Sequence, residues 1–496
     1  MTTAAVRPPA NPGAVERSTQ ASWLEFAIVW VTVSAGVYLL GEYLFAHGFI
    51  SLNLVFFAEK AQLALSGSPP RLVNIGFVYP PLSFGLMMPF FTNPILAQAV
   101  ISGLTVAGVF RFLDLHVASG LVRRLAKAYV LASPTFLFLT VENYSYLLLA
   151  VLLALAVLYI GLHLDYGYSL HLFMAGGLYG LTFFIDFRTI WLLIVLVPSI
   201  SGPLLRRSIP HAISVSLTIA LPFIFMASAW IYVNWIFLGN GLGFIFGRSS
   251  FFRTFAADPT IAAVAWDPVA TLVYSIKLLV IMLPVIACYF VGLALVRSNQ
   301  PSFQISTMVI YGFPVLFMVL TLYTGMFAPS VSFLAIFLLT MFFEIHRMRP
   351  SRWLPIVMLV TFCCSFLAPI YSPNREERDF ARALYTGRIV PNIAEFEAVA
   401  NCLQAHPGGR ILADDTIFYP VVFLVGDASR FILPFEYEYD TIVANPVEFA
   451  RIVIAARRGA TDTVASIHPT IEQGWLPGYH AILTEPDYIV FERSEP

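Results

Sequence analysis

The chain has 496 residues, of which 58% are hydrophobic and only 11% charged, a balance too apolar for an ordinary water-soluble globule and suited to a lipid bilayer. With 28 Lys and Arg against 29 Asp and Glu the formal net charge is -1, which argues against nucleic acid as a partner, because a backbone binder needs a concentrated basic face. Cys288, Cys363 and Cys364 lie in apolar segments and Cys402 alone in a polar tail; this is neither a disulfide framework nor a CxxC metal spacing, and cysteine reads as packing.

Residues 1–22 are polar and Pro-rich, with Arg7 and Arg17, and the apolar stretch that follows carries no small-residue cleavage signal, so they read as an uncleaved cytoplasmic tail before a first span. Apolar runs of roughly 17 to 25 residues can each cross a hydrocarbon core. Such runs fall near 23–45, 80–110, 128–141, 144–163, 170–184, 189–204, 210–238, 269–296, 303–324, 329–345 and 353–371, predicting about eleven spans. The second is broken by Pro89 and Asn93-Pro94, which equally admits a short crossing plus a separate helix. If it crosses once, the Arg and Lys clusters at 7 and 17, 111–127, 206–207, 297 and 347–352 share one side, the cytoplasm under the positive-inside rule. The opposite side receives the loop at 46–79, the turns near Glu142 and Asp186, the loop at 239–268 and everything after Tyr371.

Within Phe49–Phe84, apolar Leu52, Val55, Phe56, Ala58, Leu63 and Leu65 alternate with Asn53, Glu59, Lys60 and Gln62 at roughly helical spacing, and Ser66-Gly67-Ser68-Pro69-Pro70 stops the pattern. This reads as an amphipathic helix lying on the membrane surface, with Glu59 and Lys60 on its solvated face. Asn53 suits either a helix cap or a functional position. Tyr79-Pro80-Pro81-Leu82 fixes an extended approach to the next span, with Tyr79 either an interfacial anchor or a ligand contact.

After Tyr371 the composition turns charged and helix-prone, marking a second domain over residues 372–496. EFEAVANCLQAH has helical period, GGRILADD, RFILP and ARIVIAA read as short strands, and YHAILTEPDYIVFER reads as a hairpin around Glu485-Pro486-Asp487. Asp414-Asp415 could bind a cation or sugar hydroxyls, but Asp415 reads better as the cap of a helix starting near Thr416. His406, His468 and His480 have no metal spacing and read as surface residues. Matched, repeated halves of the kind secondary transporters carry are not seen.

The order of a first span, a loop helix ending in a small-residue turn, and YPPL opening the second span resembles the GT-C superfamily of membrane glycosyltransferases that use polyprenyl-phosphate-linked sugars. Ser133-Pro134 followed by Glu142, the stretch from Gly180-Leu181 to Arg188, and Trp230-Ile231-Tyr232-Val233-Asn234 are similar too. The resemblance covers most of residues 23–371. It implies a polytopic α-helical GT-C-like protein with a C-terminal periplasmic α/β domain, multi-pass in a bacterial inner membrane, taking a polyprenyl-phosphate-linked sugar and a lipid or glycan acceptor. In that family the first outer loop carries an Asp that serves as base or metal ligand; with Gly67 and YPPL as anchors, its place falls on Asn53. An amide cannot take the acceptor proton and binds a divalent cation poorly. Glu142, or after it Glu59, is then the candidate acid, and a non-catalytic relative that binds a lipid-linked glycan for a partner subunit is the alternative. Arg188 is the candidate for the lipid phosphate, with Asp186 beside it, and Arg248 and Arg253 either clamp a phosphate or meet lipid headgroups. A divalent cofactor cation fits the resemblance, but this sequence offers it no ligand set.

Overall fold

The computed structural model describes residues 12–67, 79–190, 208–246, 266–295, 312–323, 330–345, 351–372, 374–391, 393–436, 438–457 and 462–494, with 193, 196–198, 200–201, 264 and 348 singly or in short pieces. It is mostly helical. Helix α1 (Pro12–Ala46) is apolar from Trp23 onward and is followed by α2 (Leu52–Ser66), α3 (Pro81–Met87) and α4 (Pro94–His116). The break before α4 is made by Asn93-Pro94: Pro94 lacks an N–H at a position where none is needed, and the Asn93 side chain accepts from Leu96 N–H at 2.9 Å. The predicted 80–110 crossing is thus two pieces, and the span is α4.

Helices α5 (Gly120–Ala132) and α6 (Pro134–Glu142) meet at 51° around Ser133-Pro134, and α7 (Tyr144–Tyr166), α8 (Ser169–Phe183) and α9 (Ile209–Leu238) follow. Then come α10 (Pro268–Leu295), α11 (Phe313–Tyr323), α12 (Ser330–Glu344) and α13 (Trp353–Ser365). Small residues let these helices approach closely, as is usual where lipid gives no hydrophobic drive between them. A Cβ on Gly103 of α4 would come within 2.2 Å of Ser34 Oγ on α1, and one on Gly176 of α8 within 2.3 Å of the Ile219 carbonyl on α9. Apolar side chains such as Ile28, Val31 and Leu39 on α1 and Leu217, Leu221 and Phe225 on α9 face outward, as hydrocarbon requires.

Five helices among the described residues are long and apolar enough to cross a membrane, six if the bent α5–α6 pair is one span. The architecture is that of a multi-pass membrane protein, with fewer full-length spans than the eleven apolar runs suggest. Length is one reason: α8 has 15 residues and α13 has 13, and at ~1.5 Å per residue such helices fall short of a ~30 Å core, although both still expose apolar side chains such as Phe173 and Ile356. Half of 189–204 and nearly all of 303–312 lie outside the described residues.

The C-terminal part contains α14 (Arg375–Thr386), α15 (Ala394–Ala405), β1 (Ile411–Leu412), α16 (Asp415–Val425), β2 (Phe431–Ile432), α17 (Tyr439–Ala444), β3 (Ile452–Ala456), α18 (Thr463–Ile467), β4 (Tyr479–Thr484) and β5 (Tyr488–Arg493). The sheet order is β2-β1-β3-β5-β4, parallel across β2, β1 and β3 and antiparallel beyond, with Glu485-Pro486-Asp487 turning the final hairpin. Central β3 is buried along its whole length, and its residues alternate between two cores: Ile452 and Ile454 with Leu403, Phe418 and Val422, and Val453 and Ala455 with Ile442, Val464 and Phe491.

Leu63 of α2 belongs to the first of these cores. Helix α2 is therefore not a helix lying on the membrane surface: Leu54 to Ala64 are all buried, against α3, α4 and α16. The expected solvated face is the face that meets the C-terminal domain, whose polar groups stand in for water. Tyr79 is buried as well, its ring edge-on to Phe56 at 5.0 Å, and is no headgroup anchor.

Candidate functional site

The site is built on α2, at two levels. The first is its N-terminus, where Ser51 occupies the cap position in extended conformation but supplies no side-chain cap. The exposed N–H groups of a first turn need partners, and here they come from distant elements. Ser51 N–H donates to Glu142 Oε2 at 2.8 Å, and Leu52 N–H donates to Glu376 Oε1 at 2.9 Å. Asn53 does not cap α2. Its Nδ2 donates at 3.1 Å to Asn143 Oδ1, which also accepts from Tyr146 N–H at 3.2 Å and so caps α7. Three of the residues singled out in sequence or adjoining them, Asn53, Glu142 and Asn143, thus meet at one point, joined by Glu376 from the C-terminal part.

Glu142 and Asn143 stand at the break between α6 and α7, and a single polar residue in an apolar run braces it. Gln98 of α4 accepts from Tyr144 N–H at 2.9 Å and donates to the carbonyls of Leu139 and Thr140 at 2.9 and 2.8 Å, satisfying backbone groups that the break frees. Tyr144 OH donates to the Ser83 carbonyl, and Leu82 N–H donates to Phe184 O at 2.9 Å, which ties YPPL to the end of α8. Asp186 is buried two residues further on, its N–H donating to the Thr182 carbonyl. Arg188 lies in the turn Phe187–Thr189 with its side chain outside the described residues, and Arg248 and Arg253 lie outside them altogether.

Glu142 is 2% exposed and Glu376 is 8% exposed, so both carboxyls are buried, whereas Leu52 and Asn53 are partly exposed. Burial pushes the Glu376 carboxyl above its ordinary range, and the hydrogen bonds from the start of α2 pull the other way. Among the described residues no three His, Cys, Asp or Glu side chains gather to hold a metal, and the Glu142 and Glu376 oxygens that meet α2 are spent on N–H donors. The residues do not fit a divalent cation here.

The second level lies two turns along. Asn53 and Lys60 are seven residues apart, hence on one face of α2 and about 10 Å along its axis. Lys60 Nζ donates to Asp415 Oδ2 on α16 and forms an ion pair with Glu59 Oε2 at 3.2 Å. Gln62 Nε2 donates to the Gly426 carbonyl at 2.6 Å, at the left-handed glycine that ends α16. The rings of Phe56 and Tyr79 are 5.3 and 5.4 Å from the ammonium, and Tyr419 packs edge-on against Phe56.

Asp415 is not the cap of its helix. Asp414 is: its Oδ1 accepts from Thr416 N–H at 3.0 Å, and its Oδ2 accepts from Thr463 N–H at 3.0 Å, tying the end of β1 to α18. This frees Asp415, one position on, for Lys60. His468 Nε2 contacts the Val443 carbonyl at 2.7 Å and is half-buried, whereas His480 is exposed.

Reasoning from sequence missed Gln98, Asn143, Glu376 and the Lys60–Asp415 pair. The signals available were a Gln in an apolar run, an Asn next to the Glu of a turn between two apolar runs, and a Glu-Lys pair within a mostly apolar loop helix. No protein-family model matches the chain, and no curated protein matches it.

Proposed function

We propose that this chain is a GT-C-like membrane glycosyltransferase that moves a sugar from a polyprenyl-phosphate donor to a lipid or glycan acceptor on the non-cytoplasmic face of a bacterial inner membrane. The observation that carries the reading is the convergence of Asn53, Glu142, Asn143 and Glu376 at the start of α2, in a largely buried cluster beside the YPPL segment where the resemblance puts the acceptor.

In this reading Glu142 takes the acceptor hydroxyl proton as the acceptor oxygen bonds to the sugar C1, while the C1–O bond to phosphate breaks and the phosphate leaves with the electron pair. Arg188, and Arg248 or Arg253, hold the phosphate and stabilise its growing charge. Because Glu142 Oε2 accepts from Ser51 N–H, the proton goes to its other oxygen or follows a shift of α2. Asn53 positions Asn143 and takes no proton. The N-terminus is cytoplasmic and the C-terminal domain periplasmic in this arrangement.

A second reading, a non-catalytic protein that binds a lipid-linked glycan for a partner subunit, draws on one observation, that the backbone N–H of Ser51 engages Glu142, together with the resemblance, which puts Asn53 in the place of the acid. Purified protein given a labelled polyprenyl-phosphate sugar separates the two. Turnover that falls about 100-fold or more in Glu142→Gln and in Arg188→Ala supports transfer. Donor binding without turnover in the parent supports the second reading and ends the first.

A further inference from the structure

Where helix α2 meets the C-terminal domain, one ammonium and two carboxyls are buried together. Lys60 is 2% exposed, Glu59 0% and Asp415 5%, and aromatic rings of Phe56, Tyr79 and Tyr419 wall the space. Lys60 gives its hydrogen bond to Asp415, and neither oxygen of Glu59 has a hydrogen-bond partner. The other titratable groups that bear on it from the surrounding elements are Asp414 and Tyr419 at α16, Tyr79 before α3 and Glu376 at α14, all acidic or phenolic. In the turn Ala428–Arg430, which also packs on α2, Arg430 is directed to the carbonyls of Leu403 and His406, and Asp427 bonds Ser429. On α4, Arg111 stacks on Trp23 and Asp114 pairs with Lys127. One cation cannot balance two ionised carboxyls in a dry space.

We infer that the junction between α2 and the C-terminal domain is a one-proton switch, held closed while Glu59 carries a proton and loosened when Glu59 gives it up to solvent. Asp415 takes the hydrogen bond of Lys60, while Glu59, fully buried, meets the same ammonium only as an ion pair at 3.2 Å and is the carboxyl that titrates. Burial raises Glu59 from its ordinary value of 4.5 to about 8 against the pull of Lys60. Burial also works to lower Lys60, but Asp415 and Glu59 more than offset it and hold the ammonium charged above its ordinary range.

The sign follows from proton binding. Between 4.5, the value for an opened and hydrated Glu59, and about 8, the closed junction binds one proton more than the open one. Opening is then favoured about tenfold for each pH unit across that window, is least favoured below it and gains nothing above it. Because Asn53 rides the same face of α2 two turns away, loosening reaches the cluster at Glu142 and Glu376. The inference stands on the junction itself and is independent of sugar transfer.

Hydrogen exchange of the full chain in micelles, normalised for the intrinsic pH dependence of exchange, tests it. The amides of α2 should lose protection about tenfold per pH unit between about pH 5 and about pH 8 and then level off. Glu59→Gln, which is neutral at every pH, should make the profile flat, and Asp415→Asn, which leaves Lys60 to Glu59 alone, should also abolish the loss toward alkaline pH. Unchanged protection of β3 shows that each variant is folded. A flat profile in the parent, or an undiminished slope in either variant, overturns the switch.

Discussion

The two levels of α2 use buried carboxylates in opposite ways. At its N-terminus Glu142 and Glu376 meet neutral backbone N–H groups, one acceptor to one donor, at 2.8 and 2.9 Å. Two turns on, Glu59 and Asp415 share a single full positive charge. The first arrangement resembles helix capping supplied from elsewhere in the chain: directional, and satisfied in the same way by any good acceptor. The second depends on charge balance, so removing Lys60 leaves two carboxyls without a counter-charge, whereas removing one carboxyl leaves a one-to-one pair.

That contrast can be broken by substitution. The largest effect is expected for Lys60→Met, which strands Asp415 in a dry site and should cost about 3 to 5 kcal/mol in equilibrium unfolding in mixed micelles. Replacing Glu59, Lys60 and Asp415 together by apolar residues of similar volume should recover most of that loss, because no charge is then left buried. Glu376→Ala should cost less, about 1 to 3 kcal/mol, the penalty for an unsatisfied N–H, and Glu376→Gln should restore most of it because the amide oxygen still accepts. A Gln as damaging as Ala would mean that the negative charge on Glu376, and not its acceptor, holds α2. The smallest effect is expected for Asn53→Ala, about 0.5 to 1.5 kcal/mol by the same assay, since Asn143 keeps its bond from Tyr146 N–H.

Much of the scaffold was legible in the sequence. The apolar runs at 23–45, 144–163, 210–238 and 269–296 match Trp23–Ala46, α7, α9 and α10 closely, because a long uninterrupted apolar run has few other uses. The hairpin around Glu485-Pro486-Asp487 and the helix over 394–405 were local patterns with local causes. What sequence could not supply was the partner of a polar residue. Glu59, Lys60 and Gln62 read as a solvated face because their true neighbours, Asp415 and Gly426, stand more than 350 positions later. The same holds for Glu376, which lies 324 residues from the N–H it accepts. Asp415 was misread by one position, since two adjacent aspartates before a helix are equivalent by pattern and are told apart only by what each faces.

The place of Leu63 in the core of the sheet domain also sets a timetable. At a synthesis rate of about 5 to 20 residues per second, the strands and helices that cover α2 are made on the order of tens of seconds after α2 itself. Through that interval α2 can pack Leu54, Val55 and Phe56 on the membrane helices, but Leu63 lacks its core and Lys60 lacks Asp415. The side of α2 that carries Leu63 and Lys60 is therefore uncovered until the sheet domain has been made, so the two ends of this junction are joined late in folding.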